Sequence, residues 1–286
     1  MARVREIRDR VAAIKKTQKI TSAMRMISAA RLARAQLAAE ASRAYGAKLS
    51  EIFASVANGL DGDAHPLLAR RASIKKLDVL LVTSDRGLCG AYNANLIKQA
   101  VTLVAERRAS LDSVSVVAVG KRGRDFVRRR RLDMPKSWTG LAPTPENARE
   151  VATYLTERYL AGESDEVMIV YGRFVSVLTQ TPTALSVIPV LAAVPEAKDA
   201  PTLSYEIEPD PETFLAAVLP RVIEFAVLRA LLENAASEHG ARMTAMENAT
   251  ENTRELIRSL TLDMNKARQT QITTELTEIV AGAEAL

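Results

Sequence analysis

The shortest stretch carrying residues fit for chemistry is Ser84-Asp85-Arg86-Gly87-Leu88-Cys89-Gly90. It follows a continuous apolar run at 77–82 (LDVLLV) and precedes a helical pattern at 91–109, so it stands at the carboxyl end of a strand, where α/β sheets bind ligands. Its two glycines can present backbone N–H groups to a phosphate at the following helix N-terminus. It matches neither G-x-G-x-x-G nor a Walker A sequence, and neither pattern occurs elsewhere in the chain. A tight turn in which Asp85 pairs with Arg86 accounts for the same residues and is the preferred reading.

Other reactive types are sparse. The two histidines, His65 and His239, have no second histidine or cysteine at ligand spacing, so the sequence offers no metal site. No Ser–His–acid set can be assembled around a marked nucleophile. The densest basic run, 121–131 (KRGRDFVRRRR), contains one aromatic, Phe126, and lies in no nucleic-acid-binding motif; it reads as a solvated helix face set toward an acidic partner or lipid headgroups. Met24 and Met26, with Met243 and Met246, read as flexible filler in helical packing. Residues 265–273 (NKARQTQIT) are polar around almost the whole helix, so part of that surface can face an outside partner. Nothing supports catalysis by this chain alone, and no cofactor is expected.

The elements that must position these residues are two long terminal helices and an inserted sheet. Residues 221–286 contain only Gly240 and Gly282 and no proline. Apolar or small residues alternate at spacings of four and three: Leu232, Ala236, His239, Met243, Met246, Thr250, Thr253, Ile257, Leu260, Met264 and Ala267. That is a coiled-coil seam, and at 1.5 Å per residue the segment is roughly 100 Å long, so it must pair with something. From Val4 to Asn58 a second helix is expected, with a stripe at Val4, Ile7, Val11 and Ile14 that resumes out of phase at Ile20, Met24 and Ile27. The six-residue step from Ile14 to Ile20 reads as a stammer. The N-terminal segment carries twelve Lys/Arg against four Asp/Glu and the C-terminal one seven against ten, which nominates the two as an antiparallel pair.

Between them the pattern changes. Apolar runs at 77–82, 114–119 and 167–171 alternate with helical stretches at 91–109, 124–131 and 146–160, the signature of a parallel, doubly wound, Rossmann-like α/β sheet. Runs at 174–178 and 184–190 read as a hairpin at the sheet edge, and Pro220 should kink the last helix. The expected division is 1–58 N-terminal coiled-coil helix, 70–208 α/β domain and 209–286 C-terminal coiled-coil helix. Aromatics are only 4% of the 286 residues and Cys89 is alone, so neither a β-sandwich nor an intramolecular disulfide is indicated. No apolar run reaches membrane-spanning length, and the Arg-rich start, interrupted by Glu6 and Asp9, reads as the beginning of a helix rather than a transit peptide.

At three separated places the residues resemble the γ subunit of F-type ATP synthases. The first is Ile7-Arg8, Thr17-Gln18-Lys19-Ile20-Thr21 and Ala23-Met24; the second is Thr83–Gly90 with Asn93. The third runs through Ser237-Glu238, Ala241-Arg242-Met243, Ala249-Thr250-Glu251-Asn252, Asn265-Lys266-Ala267-Arg268-Gln269 and Glu278-Ile279-Val280. The resemblance implies a non-catalytic rotor: the paired helices turn inside a ring of three α and three β subunits, and the α/β domain sits against the ε subunit and the c-ring. ATP is made on β. By matching position it implies that Met24, Arg254, Arg268, Gln269 and Thr273 contact β, and that Tyr205 belongs to the foot facing the c-ring and ε. It also implies a peripheral membrane protein on the cytoplasmic face of a bacterial inner membrane. A turning shaft should avoid deep apolar anchors into its bearing, and the Ala, Thr, Gln and charged exterior of the last helix suits that. The alternative is a phosphate- or nucleotide-binding α/β protein with a dimerising coiled coil.

Overall fold

In a computed structural model, residues 2–57, 65–69, 71, 73–190 and 210–284 are described. The elements in order are α1 (Ala2–Ala57), β1 (Lys76–Val82), α2 (Tyr92–Arg107), a 3-10 turn (Arg108–Ser110), β2 (Ser113–Val119), α3 (Lys121–Arg130), β3 (Ser137–Trp138), α4 (Pro145–Leu160), β4 (Glu166–Phe174), β5 (Gln180–Ile188) and α5 (Pro211–Glu284). The chain divides into two compact units, residues 1–29 with 242–286, and residues 30–241.

The larger unit is built on a five-stranded sheet in the order β3-β2-β1-β4-β5, parallel except for β5. Strands β1, β2 and β4 are Val- and Leu-rich and buried on both faces, as helix-covered parallel strands must be. One face carries Leu80, Val117 and Ile169 against Val151, Leu155 and Tyr159 of α4 and Leu219, Ile223 and Val227 of α5, with Phe53 of α1. The other face carries Val79, Leu81 and Val170 against Leu96 and Leu103 of α2 and Val127 of α3. This is the doubly wound, Rossmann-like layout expected.

Three local expectations change. The hairpin joins β4 directly to β5, with Phe174 opposite Gln180, so 174–178 is the end of β4 and its turn, not a separate strand. The two-residue strand β3 falls outside the predicted runs; it is held by β2, which Ser137 and Trp138 flank at Ala118 and Val119. Helix α3 begins at Lys121, directly after Gly120, whose positive φ of 94° sets the sharp entry. Helix α5 runs unbroken through Pro220, which lacks the N–H that would bond the Ala216 carbonyl.

Buried charge is answered locally. Asp78, 1% exposed in the middle of the sheet, accepts from Arg158 Nε at 2.8 Å and from a second guanidinium nitrogen at 3.2 Å. Burial pushes the Asp78 carboxyl up and the Arg158 bonds only partly offset it. Asp165 accepts from the backbone N–H groups of Lys75 and Lys76, each at 2.9 Å, and pairs with Arg71 at 3.0 Å, tying the entry of β1 to that of β4.

In the smaller unit α1 and α5 pack antiparallel. Thr21 Oγ1 and Thr250 Oγ1 share a hydrogen bond at 2.7 Å, and Arg25 lies 3.8 Å from Glu247. The α5 seam is the one the spacing predicts: Met246 and Leu260 are buried, and Met243, Thr250, Thr253, Ile257, Met264 and Ala267 are half-buried. The α1 seam is not. Val4, Ile7, Val11, Ile14, Gln18, Thr21, Arg25 and Ser28 are covered in an uninterrupted repeat of alternating three and four with no stammer, and Ser22 and Met24 are half-buried beside it. Ile20 and Ile27, which suggested the phase break, are 59% and 54% exposed. The heptad continues in the larger unit through Leu32, Ala39, Gly46 and Phe53.

Candidate functional site: a filled ligand seat and a coil that ends in a single helix

The loop after β1 is where this sheet would bind a ligand, and the chain's own side chains occupy it. Asp85 does not pair with Arg86. Its Oδ1 accepts from the Lys121 N–H at the start of α3 and its Oδ2 from the Gly140 N–H after β3, both at 2.9 Å. A carboxylate therefore stands where a helix N-terminus would hold a phosphate. Asn93 Oδ1 accepts from the Ser84 N–H at 3.0 Å, Ser84 Oγ donates to the Arg86 carbonyl at 2.6 Å, and Asn93 Nδ2 reaches the buried Cys89 Sγ at 3.1 Å.

Close backbone approach completes the closure. A Cβ on Gly120 would lie 2.2 Å from the Thr83 carbonyl oxygen, and Thr83 Oγ1 accepts from the Gly123 N–H at 2.8 Å. Above the strand ends, Tyr92 Oη donates to Asn234 Oδ1 of α5 at 2.6 Å, and Ser237 Oγ donates to the Gly172 carbonyl at 2.8 Å. The cavity left among Thr83, Asp85, Gly120, Pro143, Asn234 and Glu238 is about 60 Å³, against the roughly 300–1,000 Å³ of ordinary ligand pockets. The loop works as a joint between β1, α3, β3 and α5.

The histidines are likewise structural in what is described of them. His65 Nδ1 accepts from the Leu67 N–H at 3.1 Å and burial lowers its pKa; His239 is half-buried on the α5 seam. Among the described residues no group of three His, Cys, Asp or Glu side chains is placed to hold a metal ion. Nor is any helix among them long and apolar enough to cross a membrane.

The residues singled out as contacts fall in the smaller unit, except Tyr205, which lies outside the described residues. Met24 is half-buried on α1, beside the seam. Arg254 is exposed and paired with Glu251. Arg268, Gln269 and Thr273 are all exposed. The Thr21–Thr250 and Arg25–Glu247 pairs fix the register and set Ala2 level with Gln269 and Thr270. Beyond Gln271 every α5 residue whose burial is described is exposed. Arg268, Gln269 and Thr273 thus flank the point where a two-helix coil becomes one helix.

That single-helix end has two features the sequence reading missed. Ile272, Leu276, Ile279 and Val280 share one face and are 47–67% exposed; their spacing of four, three and one was there to be read. With Leu262 also exposed, the exterior of the last helix is not only the Ala, Thr, Gln and charged surface expected but carries aliphatic side chains as well. In addition, Thr270, Thr273, Thr274 and Thr277 each donate their hydroxyl to the carbonyl four residues earlier, at 2.8–3.0 Å. These threonines satisfy their hydroxyl donors within the helix.

Comparison with known proteins agrees over the whole length. A family model described as ATP synthase matches residues 3–286. Curated relatives include the ATP synthase gamma chains of Moorella thermoacetica, 47% identical over 289 residues, and of Desulforamulus reducens, 43% identical over 288, each alignment covering all of both chains. Among solved structures, a chain from the Euglena gracilis mitochondrial ATP synthase (OSCP/F1/c-ring, rotational state 3) shares the fold at TM-score 0.66 and 21% identity, covering 99% of this chain and 94% of that one. A chain from the rotor of the same enzyme in rotational state 1 gives 0.65, over 95% and 99%. With identity above 40% from end to end and a family match over nearly every residue, this chain belongs to the ATP synthase gamma chain family.

Proposed function

We propose that the chain is the non-catalytic central-stalk rotor of a membrane-associated ATP synthase, turned by ion flow through a c-ring and driving the β subunits through their catalytic conformations. Its partners in this reading are the α and β subunits of the surrounding ring, the ε subunit and the c-ring. It is held peripherally, through the complex, at the cytoplasmic face of a bacterial inner membrane. In this reading segments 1–58 and 209–286 form the shaft and 70–208 the foot.

The observation that carries this reading is the end of the coil. An unpaired helix with an apolar stripe is unstable alone in water, so a surrounding surface must cover it. A bearing for a turning part should exclude water without locking the part through directional bonds, and self-satisfied threonines beside aliphatic side chains offer that surface. Met24, Arg254, Arg268, Gln269 and Thr273 contact β, and Tyr205 faces the c-ring and ε. The filled seat at Asp85 speaks against the alternative of a nucleotide-binding protein.

The test is a cysteine at Gln269 paired with one on β in the assembled complex. Oxidation should stop ATP-driven rotation and reduction should restore it. Rotation that continues with the crosslink formed would overturn the assignment of this level to β. Saturable nucleotide binding by the isolated chain, seen by calorimetry, would overturn the rotor reading in favour of the alternative.

A further inference from the structure

The opposite end of the sheet holds a cavity that the rotor reading does not use. It measures about 550 Å³ and lies between α2 and α3, over the start of β2, within the size range of sites for small molecules. Its walls are aliphatic and aromatic: Val101, Val104, Val116, Phe126, Val127 and Leu132. Among the described residues its cationic lining comes from Arg108, the first residue of the 3-10 turn after α2, and Arg130 in the last turn of α3, both exposed. Neighbouring cations on these helices are already engaged, Arg107 with Glu166 and Arg124 with Asp125. Arg130 rests its guanidinium 5.9 Å from the Phe126 ring centroid, and among the described residues neither Arg108 nor Arg130 has a carboxylate partner.

We propose that this cavity binds a single-chain anionic amphiphile, with the aliphatic tail against the valines and the carboxylate held by Arg108 and Arg130. The inference stands apart from the rotor reading. Each methylene taken from water onto these walls is favourable, and guanidinium forks fit a carboxylate in two parallel hydrogen bonds. The charge of the occupant follows from the same geometry. The carboxyl ends of α2 and α3 flank the cavity and disfavour an anion weakly. Arg108 and Arg130 outweigh that, and the exposed Arg128, Arg129 and Arg131 next to them add to the positive field. A cationic chain would meet like charges at the mouth. The basic run at 121–131 thereby gains a role: its helix supplies one wall and one of the two anion-binding groups.

The experiment titrates decanoate, decanol and decyltrimethylammonium, below their micellar concentrations, into the full chain and into the assembled complex by calorimetry. Decanoate should bind saturably at one site, about tenfold more tightly than the cation, a difference of about 1.4 kcal/mol. Arg108→Gln with Arg130→Gln should bring decanoate within about twofold of decanol on the same scale. Val101→Trp should abolish binding of all three; Ala105→Phe, also on the lip, serves if that variant does not fold. Non-saturable uptake, an unchanged preference in the double variant, or binding that survives filling the cavity would overturn the proposal. Binding to the free chain that disappears in the complex would show the cavity to be a subunit contact and overturn it equally.

Discussion

Gly46 gives the sharpest test of how α1 and α5 meet within the larger unit. A Cβ built on Gly46 would lie 2.1 and 2.2 Å from Cζ and Cε1 of Phe225, whose ring also packs on Tyr45 with centroids 5.6 Å apart. Ordinary carbon–carbon contact needs about 3.5–4.0 Å, so Gly46→Ala requires the ring to retreat by about 1.5 Å or the helices to part. Overpacking of this kind costs about 1–3 kcal/mol. Against it, alanine is better than glycine in a helix interior by about 1 kcal/mol. The net change in the wild-type background is therefore a loss of about 0–2 kcal/mol, the difference of those two terms. With Phe225→Leu the obstruction goes and the helix term remains, so the same Gly46→Ala should gain about 1 kcal/mol. Urea unfolding of all four proteins, followed through the single buried Trp138 of this unit, gives the coupling directly. A coupling of about 1–3 kcal/mol is expected. Gly46→Ala effects that agree in the two backgrounds to within about 0.3 kcal/mol would refute the close contact.

Three further outcomes follow from the same geometry. Tyr92→Phe leaves the buried Asn234 side chain without its donor and should cost about 1–3 kcal/mol in the same unfolding measurement; a cost indistinguishable from zero would mean that water replaces the hydroxyl. Asp85→Ala frees the N–H groups of Lys121 and Gly140 and should cost about 0.5–2 kcal/mol, as loss of a helix N-cap does, with Asp85→Asn intermediate. Asp165 is subject to burial, which raises its pKa, but the N–H groups of Lys75 and Lys76 and the charges of Arg71 and Lys76 hold it below the usual carboxylate range. A depressed folded pKa contributes stability above the unfolded value near about 3.9 and loses it as pH falls through the folded value. The penalty of Asp165→Ala should thus be full at neutral pH and shrink in acid; a penalty independent of pH would show that the carboxylate's charge plays no part.

The parts legible from sequence were those in which burial and hydrophobicity coincide. The α5 seam from Leu232 to Ala267 and the runs of β1, β2 and β4 are covered and apolar or small, so spacing alone locates them. The α1 seam beyond Ile14 was misread because its covered positions include Gln18, Thr21, Arg25 and Ser28 while Ile20 and Ile27 face outward. Helices that approach through small and polar residues invert the usual signal, and only the partner's position shows which stripe is inside. Strand β3 was illegible because two residues carry no period; it exists through its neighbour β2. The role of Asp85 was likewise hidden. Its donors stand 36 and 55 residues away, and no local pattern encodes them.

The back-bonded threonines near the end of α5 have a further consequence. As one surface turns over another, the resistance it meets depends on how unevenly the interaction energy varies with angle. A free hydroxyl donor would find a strong partner at some angles and none at others, and each such alternation deepens the corrugation of that profile. At Thr270, Thr273, Thr274 and Thr277 the donor is spent on the helix itself, so these side chains lead outward with a methyl group. Methyl contacts are individually worth only about 0.1–0.2 kcal/mol per atom pair, and their sum changes little as one neighbour is exchanged for the next. The helix gives up some rigidity to this arrangement, since such hydroxyl bonds loosen the backbone ladder slightly. What it gains at these four positions is a surface whose interaction varies less with angle than free hydroxyls would give, which leaves the angular preference to the exposed Arg268 and Gln269 beside them.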